Sequence, residues 1–299
     1  MTLAGRVWSS FAVGLALMAL LVAGGCASTG PSDVPTEWTD WQAKRRESFA
    51  GTNGWATVVG LQWLHEGTNA VEIPTTAGSK PAGIMIRSGG TVRYEVSPEL
   101  GVRHRGQVWS QGELRSDQEG LVEPDVLQWG TVRFFVIARG ERLGLRFKDP
   151  QAEARRTFHG LSWFAYDPAW RMEGRFEPAS EPVWLTIADV TGASKQERSP
   201  GRFRFAVSGV EYVLETLWDE ETQDYFVLFR DATAGQTTYG SGRFLHVARE
   251  DATGRVWIDF NFAYNPPCAF TPFATCPIPP RRNWLPFPVT AGERSYGGH

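Results

Sequence analysis

The sequence has little with which to do familiar chemistry. It holds three cysteines and five histidines, and none of the histidines stands in a metal-ligand spacing. His65-Glu66 lacks a second histidine four residues on, which excludes the metalloprotease helix. Ser241 in "TYGSGR" lacks the first glycine of a nucleophile elbow, and "AGSKPA" separates its glycine from its lysine, so neither reads as a catalytic serine or a phosphate loop. Neither charge dominates: 30 basic residues stand against 33 acidic ones, a formal net charge of −3. That leaves no basic footprint for nucleic acid. The motifs point to no metal and no cofactor. An apolar run of ~20 residues, the length that spans a bilayer as a helix, is also missing.

The longest apolar run, residues 11–22, follows the lone charge of Arg6 and precedes the small residues Ala23, Gly24 and Gly25. This is the layout of a secretory signal peptide over residues 1–25. Ala23-Gly24-Gly25-Cys26 resembles the bacterial lipobox, which implies cleavage before Cys26, lipidation of that cysteine and a hold on a membrane. Ordinary cleavage with Cys26 as a bystander is the alternative. Residues 26–36 are polar and rich in Pro, Gly and Ser, the composition of a tether. The expected location is therefore the cell envelope, with a membrane-anchored lipoprotein holding its folded domain outside the cytoplasm. Cys268 and Cys276 remain as a pair in an oxidising space, and the arithmetic suggests one disulfide. Their separation lacks the paired short spacings of a structural zinc site.

One helix is signalled, over residues 37–50, with Thr36 as its cap, Trp38 and Trp41 one turn apart, and Gly51 as its end. Beyond it, runs rich in Val, Ile, Phe, Thr and Trp are broken every few residues by turn signals, as in "GIMIRSGGTVRYEV" and "VRFFVIARGERLGLRF". In "RFRFAVSGVEYVLETLW", Ser208-Gly209 separates two alternating arms as a tight hairpin. The fold class is all-β. A polar interruption at residues 148–156 suggests two packed sandwich-like or barrel-like halves, residues 51–157 and 158–299, the second ending in a proline-rich loop. A single continuous β fold is the alternative.

The stretch "RVWIDFNFAYNPPCAFTPFATCPIPPRRN" carries the most information. Period two places Val256, Ile258, Phe260 and Phe262 on a core face, and puts Asp259 and Asn261 together on the other. Tyr264 and Asn265 follow, and Pro266-Pro267 stiffens the chain's exit. A rigid loop beside converging polar groups is a common way to build a site. Upstream, Arg243 offers a fork of donors suited to an anion, with Tyr239 beside it; a structural ion pair between Arg243 and Asp259 is the competing reading.

"GLSWFAYDPAWR", "FRDATAGQTTYGSGRFL", "DFNFAYNPPCAF" and "CPIPPRRNWL" resemble the DUF1684 family, from about Gly54 to Tyr296. The resemblance implies no activity. The chain departs from that pattern at Thr237 and Phe262, where an acidic and a basic residue are expected. The first half is faintly similar to a forkhead-associated β-sandwich, without the residues that read phosphothreonine.

These readings combine into an expected function. The chain is an envelope lipoprotein that binds a small-molecule or glycan ligand at Arg243, Asp259, Asn261, Tyr239, Tyr264 and Asn265. The alternatives are a hydrolase of envelope material with Asp259 as general base, and a structural partner in an envelope complex. Thirteen tryptophans suit a β core first and a sugar platform second.

Overall fold

The computed structural model describes residues 34–118 and 121–297. The expected leader, Cys26 and most of the tether lie outside the described residues. Among the described residues, no helix is long and apolar enough to cross a membrane.

The fold is all-β. Helix α1 (Thr36–Ala50) precedes ten strands: β1 (Val58–Leu64), β2 (Gly67–Thr75), β3 (Gly78–Ser88), β4 (Thr91–Glu95), β5 (Arg103–His104), β6 (Gln107–Val108), β7 (Gln111–Leu114), β8 (Leu127–Trp129), β9 (Val132–Arg139) and β10 (Arg142–Lys148). They form two antiparallel sheets, ordered β1-β10-β9-β8-β5-β6 and β2-β3-β4-β7. Alternation along these strands turns Ile73, Met85, Tyr94, Phe134 and Leu145 into one buried cluster.

The short helix α2 (Glu153–Arg156) follows, and then β11 (Arg171–Ala188), β12 (Ser194–Val207), β13 (Val210–Glu215), β14 (Leu217–Asp219), β15 (Asp224–Phe229), β16 (Arg243–Val247) and β17 (Arg255–Asp259). Their sheets run β13-β12-β11-β17 and β14-β15-β16, and Phe203, Phe205, Val227, Phe229, Ile258 and Phe260 fill a second core. Among the described residues, no strand of the first set pairs with one of the second. Residues from Pro35 onward nevertheless form one compact unit, joined by contacts such as Arg139 Nε to Thr275 Oγ1 at 3.1 Å and Arg142 Nη1 to Thr191 Oγ1 at 2.7 Å. Ser208 and Gly209, at φ 51° and 81°, make the mirror-image turn that matches strand twist, and Val207 faces Val210 across it.

Helix α1 corrects one local expectation: its cap position is Pro35, with no side-chain cap, and Thr36 is already helical. The helix is mostly polar and buries only Gln42 and Phe49, so docking rather than propensity holds it. It lies along the C-terminal segment. Trp38 Nε1 donates to the Asn261 carbonyl at 3.0 Å, Trp41 meets Phe262 edge-on, and Phe49 packs with Phe158, Phe270 and Tyr296.

After β17 the chain runs as a proline-rich segment across both sheets of the second half. Asn283, 1% exposed, pins it, with its amide bonded to the Glu215 N–H and to the carbonyls of Glu215 and Leu228.

Candidate functional site

The six residues expected to share a site do not converge. Arg243 is the clearest departure. It is fully buried, and its guanidinium is bound by Asp231 Oδ2 at 3.0 Å and by the carbonyls of Val289, Ala291 and Glu293. Burial pulls its pKa below the usual arginine value, and Asp231 opposes that. Arg243 is therefore a structural clamp for the C-terminal segment, with no face open to an anion. Its partner is Asp231, twelve residues back, and not Asp259.

Asp259 and Asn261 stay neighbours for a different reason than strand parity. The strand ends at Asp259, and residues Phe260–Phe262 turn into a 3₁₀ helix. Asp259 Oδ1 caps that turn, accepting from the Asn261 N–H and side-chain amide at 3.0 and 2.9 Å. The turn swings Asn261 inward to 1% exposure, where its amide binds the backbone N–H and carbonyl of Asp167. Burial raises the Asp259 carboxyl's pKa, and the Asn261 bonds and Arg171 lower it in part. Tyr239 points elsewhere, its hydroxyl donating to the Cys268 carbonyl at 3.2 Å.

Tyr264 and Asn265 do meet other polar groups. Asn265, 1% exposed, donates its backbone N–H to Glu293 Oε2 at 2.7 Å, and its carbonyl accepts from Arg45 Nη2 at 3.2 Å. Glu293 is fully buried, and Arg45 of α1 closes over it with Nε to Oε1 at 3.0 Å. The same guanidinium lies 4.5 Å from the centre of the Tyr264 ring. Tyr264 Oη meets His246 Nε2 at 2.9 Å, and His246 Nδ1 meets Asp224 Oδ1 at 2.8 Å. A carboxylate can only accept, so Nδ1 carries a proton, and in the neutral ring Nε2 accepts from the phenol. Burial pushes the Tyr264 phenol well above its ordinary pKa, which keeps it a donor.

Asn265 also borders a cavity of about 210 Å³. Its walls are the run after α2, with His159 and Ser162, and the C-terminal run with Glu293, Ser295 and Tyr296. Backbone bonds hold these runs together, Arg294 N–H to the Ser162 carbonyl at 2.9 Å and Phe164 N–H to the Gly292 carbonyl at 3.0 Å. The Asn265 side-chain N–H donates to the Arg294 carbonyl at 2.8 Å, which fixes the amide's orientation, since a carbonyl requires a donor. Its Oδ1 is buried and has no partner.

Cys268 and Cys276 are adjacent but unbonded, and both are free thiols. This departs from the expected disulfide. The nine-residue loop is closed instead by each backbone N–H donating to the other's sulfur, at 3.1 and 3.2 Å.

Among the described residues, Asp219, Asp224 and His246 place ligand atoms within 4.8 Å of one another, near enough to share a cation. Those atoms are already engaged. Asp219 Oδ1 accepts from the N–H groups of Glu221 and Thr222, and Asp224 Oδ1 accepts from the Thr222 hydroxyl. The group lies on three strands, so no spacing in the sequence announces it. Arg45 and Glu293 were missed for the same reason, being 248 residues apart.

Residues 156–294 match the profile of a family described as protein of unknown function, DUF1684. The match is narrower than the span from Gly54 to Tyr296 and leaves the first β half outside it. A protein of Haloarcula marismortui, described as uncharacterized and solved by solution NMR, is 33% identical; the match covers 49% of this chain and 82% of that one, with a TM-score of 0.41. No curated protein matches the chain.

Proposed function

We propose that this chain, a member of the DUF1684 family through residues 156–294, is a binding protein whose site is the cavity beside Asn265. The single observation that supports this reading is the unpartnered Asn265 Oδ1, a buried acceptor in a residue that borders the cavity and is only 1% exposed. Leaving such an atom unbonded costs about 1–3 kcal/mol, and a ligand that donates a hydrogen bond removes that cost. At about 210 Å³ the cavity falls below the ~300 Å³ of drug-sized sites. It suits one sugar ring or an amino compound of that size. The hydroxyls of Ser162 and Ser295 and the ring of His159 add donors and acceptors around it. The leader-like start and the lipobox resemblance at Cys26 support an exported, membrane-held setting in which an envelope-derived amino sugar is the natural ligand class.

Calorimetric titration of the full chain with glucosamine tests the reading. Binding is expected for the parent protein and is expected to be lost in Ser295→Trp, where an indole on an exposed rim residue fills the mouth without entering the core. Equal heats for the two proteins would refute it.

A hydrolytic reading draws on one observation. Asp259 is free of Arg243, and burial raises its carboxyl pKa, the direction a general base requires, but its Oδ1 already caps Asn261 and it does not line the cavity beside Asn265. It predicts that turnover of an acetylated amino sugar disappears in Asp259→Asn while binding at the cavity persists. Turnover that survives this substitution would exclude it.

A further inference from the structure

Cys268 and Cys276 carry more than a failed staple. Cys268 sits in the 3₁₀ turn Pro267–Ala269 and is partly exposed, whereas Cys276 is 5% exposed. Their reciprocal N–H to sulfur contacts, 3.1 and 3.2 Å, hold the sulfurs side by side and place a donor on each. Arg146 of β10 approaches from the first half. It is 4% exposed, its guanidinium lies over Trp55 at 5.1 Å, and its Nε and Nη2 have no hydrogen-bond partner. The acid nearest in function, Asp117, is held by Arg139 at 3.0 Å. A buried cation with idle donors is unfavourable unless negative charge stands near it. Asp117 is the larger opposite charge acting on it and the two thiols come next, and Trp55, the ring it covers, packs in the same cluster as both cysteines.

We propose that Cys268 and Cys276 form a redox-active dithiol that reduces small-molecule disulfides, with Cys268 as nucleophile, Cys276 as resolving thiol and Arg146 stabilising the Cys268 thiolate. The asymmetry of the pair agrees. Donation from the Cys276 thiol lowers the Cys268 pKa, its backbone N–H and Arg146 lower it further, and burial and Asp189 act against them. Burial pushes the Cys276 thiol up. A thiolate beside a cation is the usual setting of a reactive cysteine.

The Cys268 thiolate attacks one sulfur of a disulfide R–S–S–R, a protein–S–S–R bond forms, and R–S⁻ leaves. The Cys276 thiol loses its proton to solvent and attacks Cys268 Sγ, forming the Cys268–Cys276 disulfide and releasing the second R–S⁻. The protein dithiol is oxidised by two electrons, and the small disulfide is reduced to two thiols. None of these residues borders the cavity beside Asn265, so the proposal stands or falls independently of ligand binding there.

The test uses the full chain, reduced and then exposed to glutathione disulfide, with peptide mass spectrometry to locate each product. The parent protein is expected to form the Cys268–Cys276 disulfide, and Cys276→Ser is expected to stop at a glutathione adduct on Cys268. Cys268→Ser is expected to leave Cys276 unmodified. Arg146→Met is expected to slow the adduct at neutral pH by about tenfold, and Arg146→Lys by less. Unfolding midpoints of the Arg146 variants guard against loss of fold, and the Cys276→Ser trap decides the matter if they fall. An adduct formed equally on both cysteines, an unchanged rate in a folded Arg146→Met, or a parent dithiol that excess glutathione disulfide leaves reduced would overturn the proposal.

Discussion

Replacing Asp231 by alanine is the sharpest perturbation of the second half. Asp231 receives four donors: Arg243 Nη2 at 3.0 Å, the Thr233 N–H at 2.9 Å, the Thr233 hydroxyl at 2.5 Å and the Val289 N–H at 3.1 Å. Both members of the ion pair are buried, with side chains 0% and 2% exposed. Alanine removes a charge-assisted bond of about 1.5–3 kcal/mol and strands buried N–H groups at about 1–3 kcal/mol each, terms that overlap and do not add. Breaking a buried pair from one side typically costs about 3–5 kcal/mol because the remaining charge is uncompensated, and that is the loss expected here. Asp259→Asn is the control. It keeps the oxygen that caps Asn261, so its cost should stay below about 1 kcal/mol. Urea unfolding of the two variants, with the slopes compared, reads both numbers. A loss under about 1 kcal/mol for Asp231→Ala would refute the assignment of Arg243 as a buried clamp.

Three further outcomes follow from the same geometry. Burial, with Arg146 and Arg133 nearby, lowers the Lys148 pKa from 10.5 to about 8. The folded chain therefore binds fewer protons than the unfolded one between those values, and stability should rise with pH across the window; Lys148→Met should flatten that rise in urea midpoints measured at its two ends. Gly292 has φ 76°, and an added Cβ would run into the Ala263 carbonyl oxygen and lie 2.8 Å from Ala263 Cβ, so Gly292→Ala should cost about 2 kcal/mol or more in thermal or urea unfolding. Trp38→Phe keeps an aromatic ring against Tyr166 but removes the 3.0 Å bond to the Asn261 carbonyl; a loss of about 1 kcal/mol is expected, and no change would mean that α1 is held by packing alone.

The strands were legible because alternation writes burial directly into sequence. Val256 and Ile258 point inward as period two requires, and Ser208-Gly209 announces its turn because few residues adopt positive φ. The candidate site was legible only at Tyr264 and Asn265. Parity failed at Asn261 because Asp259 caps a 3₁₀ turn there, and a single turn rotates every later side chain away from the strand's pattern. Arg243 was misplaced because its partners, Asp231 and three C-terminal carbonyls, are fixed by the path of the closing segment. The Arg45–Glu293 pair joins the first helix to the last residues, and no local signal spans such a distance. Of the thirteen tryptophans, only Trp184, Trp257 and Trp284 are exposed among the described residues. Trp257 and Trp284 already carry arginines on their faces, which favours packing over sugar stacking for those two.

The central claim is that the cavity beside Asn265 takes a small hydrogen-bond-donating ligand. A crystal structure of the chain soaked with glucosamine measures this directly. The account predicts the amino sugar inside the cavity with an N–H or O–H donor about 2.7–3.2 Å from Asn265 Oδ1. Ordered water alone on that oxygen at saturating glucosamine, with the sugar absent or bound elsewhere, would contradict it.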